Sequence, residues 1–243
     1  ISYIILVQQI FVNMEKICIR QPGYLPFLGF FKKIESVDLF VFLDDVNYSK
    51  GDWDNRNKIR TMEDSMWLTV PILNKSEKLL NQVEIDYSKD WIYKHKSAIK
   101  YNYENCPYFD TYWKEIEDIL DRKYKKLFEL NMSLINYFIS ILQISTKTIC
   151  SSDLRINSTG SKKLLDICKS LNSDTYISGE LGPDYLDTNI FKNKNIDVVF
   201  EKFEHPQYSQ KYPKFIPNMS IIDLLFNEGG KSIDILKKSN NYI

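Results

Sequence analysis

Arg20-Gln21-Pro22-Gly23-Tyr24-Leu25-Pro26-Phe27-Leu28-Gly29-Phe30-Phe31-Lys32-Lys33-Ile34 is the stretch on which the fold class turns. It follows a short apolar run, Ile17 to Ile19, that reads as a strand. Pro22, Gly23 and Pro26 then rule out a helix across the next few residues, because proline lacks the amide donor and its ring clashes with the preceding turn. Leu28, Phe31 and Ile34 restore apolar residues at helical spacing. Strand, rigid polar turn and helix in that order is how α/β proteins place ligands at the carboxyl end of a strand. A turn carrying Arg, Gln and Tyr on a constrained backbone is therefore a candidate for more than connection.

Working outward, Asp38 to Asp45 reads as a fully buried strand ending in two carboxylates, which closes a βαβ unit. Asn47 to Arg60 is a polar loop turning into a strand, and Met66 to Ile72 is a strand whose Pro71 marks an edge or an end. Val83 to Asp86 reads as one more short strand. Residues 90–145 are the helical part: Lys89 to Tyr103 is amphipathic, Tyr112 to Leu120 repeats apolar residues at three and four, and Phe128 to Leu142 is long and apolar. Strand patterns return at 146–150, 175–179 and 196–200, separated by a helix over 161–171, and a last helix opens after Pro217 with Asn218 and Ser220 as candidate caps. The expected fold is α/β: a mixed, mostly parallel sheet flanked by helices, with a helical insertion near residues 90–145. We expect one domain over 14–243, preceded by an extension or remnant at 1–13, since the chain opens on Ile1 and Met14 stands just before the first strand.

Lys plus Arg and Asp plus Glu are 32 each, which argues against a general nucleic-acid or anionic-membrane binder. The apolar run at the start, Ile1 to Val12, is too short to span a bilayer and holds Gln8 and Gln9. Cys18, Cys106, Cys150 and Cys168 are too far apart for a CxxC metal site and read as buried free thiols of a reducing compartment.

Several polar groups are candidates for chemistry. Asp44 and Asp45 end a buried strand, where a carboxylate faces either solvent or a ligand cleft. Lys50, Trp53, Asn55 and Arg56 crowd one loop; the guanidinium can grip a phosphate or carboxylate, and Trp53 can stack on a base or sugar. Asn157-Ser158-Thr159-Gly160-Ser161-Lys162 precedes a helix, whose amides attract anions. It lacks the P-loop spacing and reads equally as simple capping. Ser178 and Gly179 end a strand, and Asp184 and Tyr185 follow in a Gly/Pro turn. Of the two histidines, His95 sits on a Lys-rich helix and is expected at the surface. His205, just past a strand, is the one acid/base group placed for work near neutral pH.

Taken in order, these pieces resemble the WbqC-like family of bacterial polysaccharide gene clusters. The matching motifs are Gln21-Pro22-x-Tyr24-Leu25-Pro26-x-x-Gly29, Leu43-Asp44-Asp45-Val46, Trp53-x-Asn55-Arg56-Asn57, Trp67-Leu68-Thr69-Val70-Pro71, Tyr176-Ile177-Ser178-Gly179, Asp184-Tyr185-Leu186, His205-Pro206-x-Tyr208 and Pro217-Asn218-x-Ser220-x-x-Asp223-Leu224-Leu225-Phe226-Asn227. They run from residue 21 to 227. The resemblance implies a cytoplasmic enzyme of O-antigen or capsule (lipopolysaccharide) assembly that forms an amide on a nucleotide-linked amino sugar, with an acyl or amino-acid donor such as glycine. On that reading His205 takes the proton from the amine, Asp44 or Asp223 orients it, and Gln21 and Tyr24 position substrate. Lys50, Arg56, Ser158 and Ser161 hold phosphate. Arg20, Trp53, Asn55, Ser178, Gly179, Asp184, Tyr185, Tyr208, Ser220 and Asp223 complete the binding surface. The chain departs from the family pattern at Arg20, where His is usual, and at Phe27, where Trp is usual. A guanidinium stays charged and cannot stand in for an imidazole in proton transfer.

A second similarity is to the His-x-Gly-His turn of adenylyl-transferring enzymes, here with Phe27 and Phe30 at the histidine positions. Two alternatives follow: an ATP-dependent amide ligase, with ATP as its cofactor, or a non-catalytic sugar-nucleotide-binding or assembly protein. No motif calls for a metal, a nucleic acid or a membrane, and self-association is left open.

Overall fold

The structure is a computed structural model that describes residues 16–49, 51–73, 78–239, 241 and 242. The segment 1–13 and Lys50 lie outside the described residues. The elements are β1 (Lys16–Arg20), α1 (Leu28–Glu35), β2 (Leu39–Phe42), β3 (Arg56–Arg60), β4 (Ser65–Thr69), α2 (Trp91–Tyr103), α3 (Phe109–Asp121), α4 (Leu127–Ile141), β5 (Lys147–Cys150), α5 (Gly160–Ser170), β6 (Thr175–Gly179), α6 (Thr188–Lys192), β7 (Asp197–Phe203), α7 (Ile221–Glu228), α8 (Ser232–Lys238) and β8 (Asn241–Tyr242).

The main sheet has the order β5-β2-β1-β6-β7-β8. Every pair is parallel except β7 with β8. The chain winds outward from β1 to one edge through β2 and β5, then returns to β1's other side with β6 and β7. The connections therefore reverse direction between β1 and β6, and in an open α/β sheet that is where the carboxyl ends of two strands part to leave a crevice.

Strand alternation divides the core into two layers. Ile17, Ile19, Leu39, Val41 and Tyr176 face a smaller layer formed by α5 and α6 through Leu164, Ile167, Cys168 and Phe191. Cys18, Phe40, Phe42 and Ile177 face the larger layer, which gathers α1, the helices α2 to α4, α7 and α8. Burial on both faces explains why β1 and β2 read as unbroken apolar runs. Among the described residues no helix is long and apolar enough to cross a membrane.

The α/β sheet and the helical segment at 91–141 agree with the sequence reading; other details do not. Met66 to Ile72 and the polar run before Arg60 form a separate antiparallel hairpin, β3 with β4, outside the main sheet. Val83 to Asp86 makes only isolated bridges, Ile72 with Ile85 and Glu84 with Lys126. His95 is buried, not at the surface, 5% exposed, with Nδ1 3.0 Å from the Tyr24 hydroxyl. Cys18, Cys106 and Cys168 are buried free thiols, and Cys150 is half-buried.

Candidate functional site

The bend between β1 and α1 is held from three directions. Asn57 Nδ2 donates to the Leu25 carbonyl at 2.7 Å, and Asn131 Nδ2, from α4, donates to those of Pro22 at 3.0 Å and Asp54 at 2.8 Å. The Ile221 amide donates to the Pro26 carbonyl at 2.8 Å. These clamps matter because Leu25 sits at φ 44°, a left-handed conformation that costs a β-carbon-bearing residue about 1–3 kcal/mol and persists only when its surroundings impose it. The Asn-Arg-Asn motif is thereby explained by strand alternation. Asn55 and Asn57 point inward and bind the backbone of Val70 and Leu25, while Arg56 points outward.

Arg20 ends β1 on the same sheet face as Cys18, and its Nη1 would lie 3.1 Å from a β-carbon built at Gly179, the last residue of β6. Glycine there lets the guanidinium lie across the strand end. Among the described residues the Arg20 guanidinium makes no hydrogen bond or ion pair, while its backbone carbonyl accepts from the Leu43 amide at 2.8 Å. Gly179 pairs with Glu201 of β7, so Arg20, Gly179 and Glu201 stand side by side across the point where the winding reverses. Glu201 is buried and paired with Lys33 of α1 at 2.9 Å, and Lys33 also donates to the Ser178 carbonyl at 3.3 Å. This pair ties α1 to the strand ends.

The chain after β7 brings His205 to the same edge. Phe203 packs edge-on against Phe27 of the bend, with ring centroids 5.9 Å apart, and a side chain at Gly29 would strike both rings. His205 lies among Phe203, Tyr208 and Phe215, with centroids 5.6 to 5.9 Å away. Its Nδ1 is 2.9 Å from the Pro206 carbonyl. A carbonyl only accepts, so Nδ1 carries the proton and Nε2 presents a lone pair. Nε2 is buried without a hydrogen-bond partner. Burial lowers the imidazole's pKa, with the Pro206 carbonyl opposing more weakly, so the ring is neutral at pH 7.

The carboxylates expected to orient His205 are engaged elsewhere. Asp44 accepts from the Ser151 hydroxyl, the Ser152 amide and hydroxyl, and Asn81 Nδ2 at 2.7 to 3.1 Å, fastening the turn after β5 to β2. Asp45 pairs with Lys163 at 2.8 Å. Asp223, fully buried, accepts from Tyr103, Tyr208 and Gln210 at 2.7 to 2.9 Å, and burial raises its pKa. It acts on His205 only indirectly, by fixing the loop through Tyr208 and Gln210.

Other expected binding residues are buried or already hydrogen-bonded. Tyr24 is fully buried against His95. Ser178 and Ser220 are buried, at 3% and 0% exposure, with hydroxyls that have no hydrogen-bond partner. Ser158 donates to Asp166 at 2.8 Å, and Ser161 accepts from the Asp187 amide at 3.0 Å, so both hydroxyls of the supposed phosphate cradle are used. Phe30 is a core residue, and Phe27 and Phe30 both pack where an adenylyl-transfer turn carries histidine.

Gln21 is half-buried beside Arg20, and Asp184 and Tyr185 are exposed after β6. Arg56 lies over the Trp67 ring at 4.3 Å and donates to the Gly51 carbonyl; Trp53 and Trp67 are both exposed with rings 5.2 Å apart. Sequence reasoning missed Asp54, buried in this loop with its carboxyl pushed up to about 7 by desolvation and, more weakly, by Asp52. Its place between Trp53 and Asn55 in a polar loop carried no signal of burial.

Two cavities, of about 340 and 280 Å³, lie beside the start of β7 and between β4 and α2; neither is lined by Arg20, which is exposed, or by the half-buried His205. Among the described residues no group of three or more His, Cys, Asp or Glu could hold a metal.

Comparison with known proteins bears on this arrangement. No solved structure matches the chain. The uncharacterized protein Rv1507c of Mycobacterium tuberculosis (strain ATCC 25618 / H37Rv) is 33% identical over 228 residues, covering 92% of this chain and 98% of that protein. The model of the WbqC-like protein family matches residues 21–235, from Gln21 of the bend through α7 and into α8. With nearly the whole fold inside that match, the chain belongs to the WbqC-like protein family.

Proposed function

We propose that this chain is an enzyme of bacterial surface-polysaccharide assembly that forms an amide on a nucleotide-linked amino sugar. The observation that carries the reading is His205, whose Nε2 lone pair is free while Nδ1 is committed to Pro206. An amine attacks an acyl carbon only with its own lone pair, so it must lose a proton as the bond forms. In this reading the nitrogen–carbon bond forms, the activated donor's leaving group departs with its electron pair, and Nε2 takes the amine proton. Arg20 supports the substrate assignment: an unpaired guanidinium at a strand-end crevice suits a phosphate of the nucleotide. Gln21, Asp184 and Tyr185 are available for contacts to the sugar.

The test is incubation with nucleotide-linked amino sugars and activated acyl or aminoacyl donors, followed by mass analysis. Amide product that disappears in His205→Asn, with nucleotide-sugar binding retained, is expected. No product from any combination, together with no nucleotide-sugar binding to the wild type, refutes the reading.

A further inference from the structure

The 280 Å³ cleft between β4 and α2 does not belong to the sheet edge. Its walls are Val70, Pro71, Ile72 and Trp91, with Asn55, Thr69 and His95 as polar groups, and Lys89 and Lys94 complete the lining. The apolar walls are rigid: Val70 and Ile72 are buried, Pro71 constrains the strand end, and Trp91 is 4% exposed and packs at 5.1 Å against His95. Trp91 also has a buried indole N–H with no acceptor.

The charge of the lining is one-sided. No Asp or Glu lines the cleft. Lys89 and Lys94 make no ion pair among the described residues, whereas Lys96 and Lys100, further along α2, are paired with Glu117 and Asp121. The positive character continues on the open face of the hairpin. Arg56 is the cross-strand partner of Thr69, and Lys58 that of Trp67. His95 adds no charge near neutral pH, because burial holds its pKa down to about 4.

From this combination we propose that the cleft binds a small organic monocarboxylate, its carboxylate between Lys89 and Lys94 and its apolar body against Val70, Pro71, Ile72 and Trp91. The volume admits such a ligand: liquid water takes about 30 Å³ per molecule, so 280 Å³ is the room of roughly nine waters, enough for a body the size of benzoate. The site stands whether or not the sheet edge carries out amide formation.

Isothermal titration of the full chain with acetate, isovalerate and benzoate, and with benzamide and inorganic phosphate as controls, tests the proposal. Benzoate and isovalerate are expected to saturate one site more tightly than acetate, with benzamide and phosphate much weaker. The surface double variant Lys89→Ala/Lys94→Ala should lower benzoate affinity at least about tenfold, since a hydrogen bond to a charged group is lost. Circular dichroism of this variant should match the wild type, which separates lost binding from lost fold. In a nitrogen-15 spectrum of the wild type, benzoate should shift the Trp91 indole resonance. Three results overturn the proposal: no saturable carboxylate binding, phosphate and acetate binding as well as benzoate, or unchanged affinity in the double variant.

Discussion

Replacing His95 by Gln should change how stability depends on pH in a way that isolates one buried proton site. His95 is 5% exposed, with Nδ1 against the Tyr24 hydroxyl, and desolvation lowers its pKa from 6.5 to about 4, opposed by a hydrogen bond to the Thr69 backbone. The sign follows from which state binds the proton. Below pH 6.5 the unfolded chain protonates this ring while the folded chain does not, so the stabilisation is complete above 6.5 and is lost as pH falls towards 4. The full gap corresponds to about 3 kcal/mol, and by about pH 5 roughly 2 kcal/mol of it is gone. Asp54 and Asp223 have raised pKa values and act with the opposite sign, so the wild-type curve alone is a mixture. Subtracting the His95→Gln curve removes them. Urea unfolding of both proteins from about pH 8 down to about pH 5 is the assay. The constant offset at high pH reports the packing cost of the substitution. The difference should then close by about 2 kcal/mol on acidification. Parallel curves would refute the claim that His95 is held neutral by burial.

The other predictions concern the bend, the strand ends and the loop carboxyl. Asp54→Asn should raise the Tm at about pH 8, where the buried carboxylate must be ionised, and give no gain at about pH 5, where the folded wild type is already protonated; a gain independent of pH would contradict this. Asn57→Ala leaves the buried Leu25 carbonyl without its donor and should cost about 1–3 kcal/mol in urea unfolding. Glu201→Gln breaks a buried pair and should cost about 3–5 kcal/mol, against well under 1 kcal/mol for Glu115→Gln at the surface. Gly179→Ala crowds the Arg20 guanidinium but not the backbone; it should weaken nucleotide-sugar binding several-fold in titration with little change in Tm, and unaltered binding would remove Arg20 from the site.

The parallel sheet was legible because β1 and β2 are buried on both faces and the two prolines and glycine at 22–26 leave a turn and nothing else between strand and helix. Partnership was not legible. Asp44 ends a buried strand, as a ligand-binding carboxylate would, yet it fastens Ser151 and Ser152, more than a hundred residues on. Tyr24 and Asp223 belong to recognisable motifs, and the structure shows them as hydrogen-bonded core groups. Motifs mark where the chain is constrained, and a buried clamp constrains a residue type as tightly as a substrate does. His95 was misjudged because its lysine neighbours suggest a solvated helix, although only one face of α2 is solvated.

The clamps on the bend set an order of events during synthesis. β1 is the first described strand to leave the ribosome, but the carbonyls of Pro22 and Pro26 find their donors only when Asn131 and Ile221 have been made. Until then Leu25, at its left-handed backbone, has the Asn57 clamp alone. A nascent chain halted near residue 210 would carry every residue from Arg20 to His205, with the Asn57 and Asn131 clamps, yet lack the Ile221 amide that holds Pro26, so the candidate active edge is complete only once α7 has been made.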